Sequence, residues 1–225
     1  MMAKPSPIPT GSTMPSVRPA RLIAGLAMLA SLLAPLPASA DAARDMAKAA
    51  YDLPFLLDTV AGGPTVDQAG RARTAADFAD DLVVVGLVTT HCPSLCVMRA
   101  LDLAAVAKAL PDGVRAHLRL VAISVDPADR PADLAGFADG LHLDAARWTL
   151  LATDAGQAAR IRDAIGRQVH RAGDDGAEPS TNLFLFDRRG RLMQSFGGRA
   201  LDRARLARDL VALDAFDAAA SSPHP

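Results

Sequence analysis

Cysteine is nearly absent from this chain of 225 residues: there are two, Cys92 and Cys96, in one five-residue window. So few exclude a disulfide framework, and a structural zinc site needs four protein ligands where only two good ones stand together. A permanent bridge between them would close a very short loop and add little stability through chain entropy. An excess of charge of one sign is also missing, since 24 Lys and Arg against 25 Asp and Glu leave −1. No nucleic-acid surface is indicated, and the arginines scattered from Arg160 to Arg208 read as solvated helix and turn positions. No apolar run is long enough for a comfortable membrane span; Leu22 to Leu36 is too short, with Pro35 and Pro37 at its end. There is no internal repeat at any useful period. With half its residues hydrophobic, the chain has material for one domain with a full core.

That N-terminal run reads as a targeting segment. Arg18 and Arg21 form a basic end, Leu22 to Leu36 an apolar centre, and Ala38-Ser39-Ala40 a small-residue cleavage pattern. Residues 1–40 are therefore expected to be a secretory signal peptide, 41–216 the folded domain and 217–225 a flexible tail. An uncleaved anchor is the alternative, and would hold the chain at a membrane. No cysteine follows the run, so no lipid is expected at a processed N-terminal cysteine. Either version exports the domain to the periplasm, where disulfides persist. A lone exported pair is then either a disulfide by default or an actively managed pair.

The stretch from Leu82 to Leu110 organises the rest. Leu82 to Val88 is wholly apolar, as a parallel strand buried on both faces must be. Thr89, Thr90 and His91 make a short polar loop. Pro93 fits the first turn of a helix, and Leu103, Val106 and Leu110 give that helix one buried face. Pro111-Asp112-Gly113 stops it. Both cysteines are thus expected at a helix start, one turn apart on one face, about 5–6 Å apart at Cβ. The unpaired N–H groups of the first turn favour a thiolate, above all at Cys92. A free cysteine is often only a small buried hydrophobe, but two in one window at a strand-to-helix junction argue for chemistry. The geometry supports dithiol–disulfide exchange and thiolate metal binding alike.

Elsewhere, residues 41–50 read as helix, Tyr51 to Asp58 as an edge strand or irregular entry, and Val66 to Arg71 as a strand end with a tight turn. Leu118 to Val125 is a second buried strand, followed by a helix from Pro131 to Gly140 and a short strand at Trp148 to Leu151. Thr153 or Asp154 caps a helix to Gly166, and a polar loop spans Arg167 to Ser180. Leu183 to Phe186 and Arg191 to Phe196 form a hairpin, and Leu206, Leu210 and Leu213 mark a last helix. Alternating strands and helices give an α/β fold: a mixed central sheet flanked by helices.

The order of these elements, and the residues at their ends, resemble the Sco/SenC family of thioredoxin-like proteins. The resemblance rests on Val66-Asp67-Gln68-Ala69-Gly70-Arg71, on Thr90-His91-Cys92-Pro93-Ser94-Leu95-Cys96, on Ile123-Ser124-Val125-Asp126-Pro127 and on Leu185-Phe186-Asp187-Arg188-Arg189-Gly190-Arg191. It covers about residues 50–215 and implies a thioredoxin-like fold. It also implies an exported protein that binds copper through two cysteines and a histidine. Such a protein would serve the binuclear copper centre of cytochrome c oxidase, its partner being an oxidase subunit or another periplasmic copper or thiol protein. Cys92 and Cys96 carry over as metal ligands and redox pair, and Asp126 as a supportive residue. The histidine does not: Glu178-Pro179-Ser180 stands where the family has Asp-His-Ser, so Pro179 occupies the ligand position. Val97 also replaces a proline common after the second cysteine. Two thiolates still suit Cu(I), whereas Cu(II) loses a stabilising imidazole. His170 and His91 are the candidate substitutes; His117, His142 and His224 have no reason to lie near the pair.

Two functions remain open at this level. One is Cu(I) handling by Cys92 and Cys96 in oxidase assembly. The other is a metal-independent thiol–disulfide oxidoreductase in which Cys92 attacks and Cys96 resolves. A peroxidase has no supporting arrangement beyond a cysteine at a helix start.

Overall fold

The computed structural model describes residues 52–92, 94–171 and 182–221. The expected signal peptide, the helix over 41–50, Pro93, the loop centre carrying Pro179, and His224 lie outside the described residues.

Seven strands form one mixed sheet: β1 Thr65–Asp67, β2 Ala72–Arg73, β3 Leu82–Val88, β4 Leu118–Ser124, β5 Trp148–Ala152, β6 Leu183–Phe186 and β7 Leu192–Phe196. Their spatial order is β2-β1-β5-β4-β3-β6-β7. β3, β4 and β5 run parallel in the centre, and antiparallel hairpins close both edges. Among the described residues the α-helices are α1 Leu95–Ala109, α2 Asp112–Ala116, α3 Pro131–Gly140, α4 Ala155–Arg171 and α5 Arg203–Ser221. The parallel strands are joined through helices, as their geometry demands.

Every residue of β3 is buried. Alternate side chains divide between two cores. Val83, Val85 and Leu87 pack with Ile161 and Ile165 of α4, while Leu82, Val84 and Val88 pack with Leu103 of α1, Leu134 of α3 and Leu206 of α5. Each such valine or leucine contributes about 2 kcal/mol by leaving water. The wholly apolar run is thus the signature of a sheet covered on both faces, as expected.

Four local readings are corrected. Phe55–Val60 is a π-helical turn, not an edge strand. Pro54 is accommodated before it, the Asp52 carboxylate accepts the Phe55 N–H at 2.8 Å, and Leu56, Leu57 and Val60 enter the core. α1 begins at Leu95, so Cys92 precedes the helix rather than lying in its first turn. α4 runs past Gly166 to Arg171, which places His170 on a helix and not in the loop. α5 continues to Ser221, and Asp217, expected in a flexible tail, is buried and accepts the Arg188 N–H at 3.2 Å.

The two edge hairpins share one turn. In Asp67-x-x-Gly70-Arg71, the carboxylate accepts the N–H groups of Ala69 and Arg71 and the Arg71 side chain. In Asp187-x-x-Gly190-Arg191, Asp187 accepts the N–H groups of Arg189 and Arg191 and the Arg191 side chain. Gly70 and Gly190 have φ of +79° and +73°, a conformation that favours glycine.

Candidate functional site

β3 and β4 end side by side, with Val88 opposite Ser124, and the site is built on those two ends. From β3 the chain enters the polar loop Thr89–His91, and the Cys92 N–H donates back to the Thr89 carbonyl at 3.3 Å. The next element is α1. Ser94 is its N-cap residue, yet its side chain makes no capping bond. The Cys92 sulfur takes that place and accepts the Cys96 N–H at 3.2 Å. The two cysteines therefore meet because Cys92 folds back over the first turn, not because both belong to it. Both are free thiols and half-buried, neither enclosed in the core nor aimed apart.

Their environments differ. Burial is the largest influence on Cys92 and opposes its thiolate, but hydrogen bonds from the Cys96 thiol and from the N–H groups of Cys96, Ser94 and Leu95 outweigh it, holding the thiol below its usual range. Cys96 leans against the apolar core of the α1 face. Burial first, and then its hydrogen bond to Cys92, push the Cys96 thiol up to about 12. Such a pair has one ready nucleophile and one held in reserve.

The loop is held from β4. Asp129, in the turn after Ser124, is buried. Its Oδ2 accepts the Thr90 N–H at 3.0 Å and the Ser124 hydroxyl at 2.6 Å, and its Oδ1 accepts the Thr90 hydroxyl. Thr153 at the end of β5 braces the same corner by donating to the Ser124 carbonyl at 2.7 Å. Asp126, matched to the family's aspartate, shapes the turn by accepting the Ala128 N–H at 2.9 Å. Sequence reading missed Asp129, because an aspartate in a Pro-flanked turn looks like a solvated turn residue. It also missed Arg99. One turn beyond Cys96, Arg99 is buried, its guanidinium pKa is lowered by that burial, and it donates to the Gly198 carbonyl at 2.7 Å, tying the segment after β7 to α1.

Among the described side chains, no histidine completes a ligand set with the sulfurs. His91 is largely exposed, and its Nδ1 lies 3.7 Å from both Asp126 Oδ2 and Asp129 Oδ1. Among the described residues, His91, Asp126 and Asp129 are the group of three able to hold a metal ion, and neither cysteine belongs to it. His170 lies on α4. His117 flanks α2, and His142 follows α3 with φ of +52°. Among the described residues, the thiol donors are thus Cys92 and Cys96, and no His, Asp or Glu completes a group of three with them.

The SCO1/SenC family model matches residues 64–213. Three solved structures share the fold. ScoI of Bradyrhizobium japonicum with copper bound is 22% identical, the match covering 67% of this chain and 98% of that one, with a TM-score of 0.51. Yeast Sco1 with copper bound is 19% identical over 72% of this chain and 93% of that one, at 0.53. BsSco, described as a member of the Sco family of cytochrome c oxidase assembly proteins with a disulfide switch, is 16% identical over 67% and 90%, at 0.52. No curated protein matches the sequence. The cysteine window, the strand ends that carry it and both edge hairpins all fall inside the matched span, and the chain belongs to the SCO1/SenC family.

Proposed function

We propose that this protein handles Cu(I) through Cys92 and Cys96 in the assembly of cytochrome c oxidase, as an exported protein. The observation that carries the reading is the meeting of the two cysteines at the head of α1, where the Cys96 N–H donates to the Cys92 sulfur, in a chain of this family. Two thiolates suit a soft monovalent ion, which accepts low coordination, and copper here is cargo to be passed on. The same donor set is a poor one for Cu(II), since no imidazole joins it among the described residues. The copper-bound relatives and the oxidase-assembly description of BsSco support the cargo and the pathway. Export to the periplasm rests on the basic, apolar and small-residue pattern of residues 1–40. No helix among the described residues is long and apolar enough to cross a membrane.

The test is a titration of the reduced chain with Cu(I) against a chromophoric chelator. One equivalent held by wild type, and lost in Cys92→Ser and Cys96→Ser, is the expected result. Failure to compete with a weak chelator sinks the copper reading.

The unequal thiols favour a second function, reduction of a partner's disulfide. The Cys92 thiolate attacks one partner sulfur, the partner's S–S bond breaks, and a mixed disulfide forms. The Cys96 sulfur then attacks Cys92, its proton passes to the departing partner thiolate, and the Cys92–Cys96 disulfide remains. Two electrons reach the partner. Trapping the mixed disulfide in Cys96→Ser supports this; no exchange with any thiol partner disposes of it.

A further inference from the structure

Asp129 has a burial that its place in a turn does not explain. Its side chain is fully buried, and a buried carboxylate costs several kcal/mol unless donors are aimed at it. The donors here are the Thr90 N–H, the Thr90 hydroxyl and the Ser124 hydroxyl. They do not hold the sheet together. β3 and β4 already pair from Leu82 opposite Leu118 to Val88 opposite Ser124, and the Val125 N–H donates to the Val88 carbonyl at 3.0 Å. What Asp129 holds is Thr90, two residues before Cys92. The Cys92 N–H returns to Thr89, so the chain between β3 and the first cysteine is pinned by its own backbone and by Asp129. The chain so pinned presents the Cys92 sulfur over the Cys96 N–H.

We propose that Asp129 is a positioning residue for the Cys92 sulfur, acting through Thr90 and without contact to either cysteine. The proposal rests on the reading of Cys92 and Cys96 as the working pair. Ser124 supports Asp129 from below, and its hydroxyl also accepts the Asp126 N–H at 3.2 Å. Thr90, Ser124 and Asp129 therefore join the cysteine loop to the second strand, and the pair's properties depend on all three.

The test compares Asp129→Asn and Thr90→Val with Asp67→Asn. Asp67 is likewise buried and its carboxylate accepts four bonds where that of Asp129 accepts three, but at the β1–β2 turn, away from the cysteine loop. Three quantities are read on the whole chain: the equilibrium constant of the pair with glutathione, Cu(I) competition, and thermal unfolding. Asp129→Asn moves the glutathione equilibrium at least tenfold toward the disulfide, about 30 mV, because the reduced form loses its N–H bond to Cys92. Thr90→Val moves it the same way, and the double variant moves no further than Asp129→Asn. Asp67→Asn lowers the unfolding temperature comparably and leaves the equilibrium within about twofold, the scatter expected of an uncoupled site. Equal movement by Asp129→Asn and Asp67→Asn overturns the proposal, as does an unmoved equilibrium in a folded Asp129→Asn. Should Asp129→Asn not fold, Thr90→Val decides alone, since it keeps the N–H bond and drops only the hydroxyl. A wild type that ignores Cu(I) ends the copper reading while the glutathione equilibrium still decides the positioning role. A wild-type pair inert to both ends both.

Discussion

The Cys96 N–H donates to the Cys92 sulfur at 3.2 Å, so one cysteine caps the helix that carries the other. A sulfur in a cap position receives the positive end of the first turn, and the sulfur on the helix receives the core. The division of labour between two identical side chains follows from that single placement.

Alkylation should therefore be ordered and pH-dependent. The folded-state pKa of Cys92 lies below that of an ordinary thiol, near 8.5. Its reaction with iodoacetamide rises with pH to a plateau earlier than that of a model peptide, and falls as pH drops through the lowered value. Cys96, raised to about 12, stays silent in the folded protein over the same range. By linkage, the Cys92 thiolate adds stability to the reduced protein above the unfolded thiol's pKa, and that contribution is lost as pH falls through the folded one. Mass-spectrometric counting of labels against pH checks the order; equal labelling of both sulfurs at neutral pH contradicts it.

Single serine variants should fail in different ways. Cys92→Ser removes the nucleophile and abolishes mixed-disulfide formation. Cys96→Ser keeps the nucleophile, and the mixed disulfide accumulates because nothing resolves it. For Cu(I), either change leaves one thiolate, and affinity falls at least tenfold, about 1.4 kcal/mol. Neither variant should lose much stability, since a serine at position 92 can still cap α1 and Cys96 is only half-buried. A large drop in unfolding temperature would assign the pair a structural role instead.

The shared hairpin turn gives a prediction about stability. Asp67 is buried among N–H and guanidinium donors. Burial opposes its charge, but hydrogen bonds from Arg71, Arg73 and Ala69 outweigh that, and its pKa is lowered. Its contribution is present above the unfolded carboxylate value, near 3.9, and disappears as pH falls through the lower folded value. Asp67→Ala should cost about 2–3 kcal/mol at neutral pH through the donors left unpaired. At the glycines, alanine meets left-handed backbone at about 1–2 kcal/mol. Gly190→Ala should cost more than Gly70→Ala, because its Cβ would lie 3.2 Å from Pro54 Cδ while Gly70 faces open space. Urea unfolding of the three variants gives the comparison; equal losses for the two glycines would show that the Pro54 contact yields freely.

The sheet was legible because its signal is collective. Leu82 to Val88 cannot be satisfied by one covered face, and Leu183 to Phe186 before an Asp-x-x-Gly-Arg turn has few alternatives to a hairpin. Individual residues were legible only where chemistry is rare, as at the two cysteines. The π-helical turn at Phe55–Val60 escaped because a short apolar run with a proline has no distinctive period. The helix start was misplaced by three residues because Pro93 suits a first turn equally well as it suits the link before one. Gly166 did not end α4, since a lone glycine weakens a helix by only about 1 kcal/mol and Ile161 and Ile165 anchor the turns before it. Asp129 was invisible because burial of a polar group is decided by what lies across from it, here a loop 39 positions earlier.

The position of Pro179 yields the sharpest comparison with the family. Proline offers no side-chain donor, and no other imidazole accompanies the sulfurs among the described residues. Pro179→His supplies the imidazole that the Sco/SenC resemblance implies at that position. Imidazole nitrogen favours Cu(II) far more than it changes the affinity of two thiolates for Cu(I). The variant should therefore gain a visible thiolate-to-Cu(II) absorption band and at least tenfold tighter Cu(II) binding, about 1.4 kcal/mol, while Cu(I) affinity changes by less than that. His170→Ala in the wild-type background is the control. If His170 already supplied the imidazole, wild type would show the band and His170→Ala would abolish it. Identical Cu(II) spectra for wild type, Pro179→His and His170→Ala would mean that the loop histidine's position has no bearing on this pair of sulfurs.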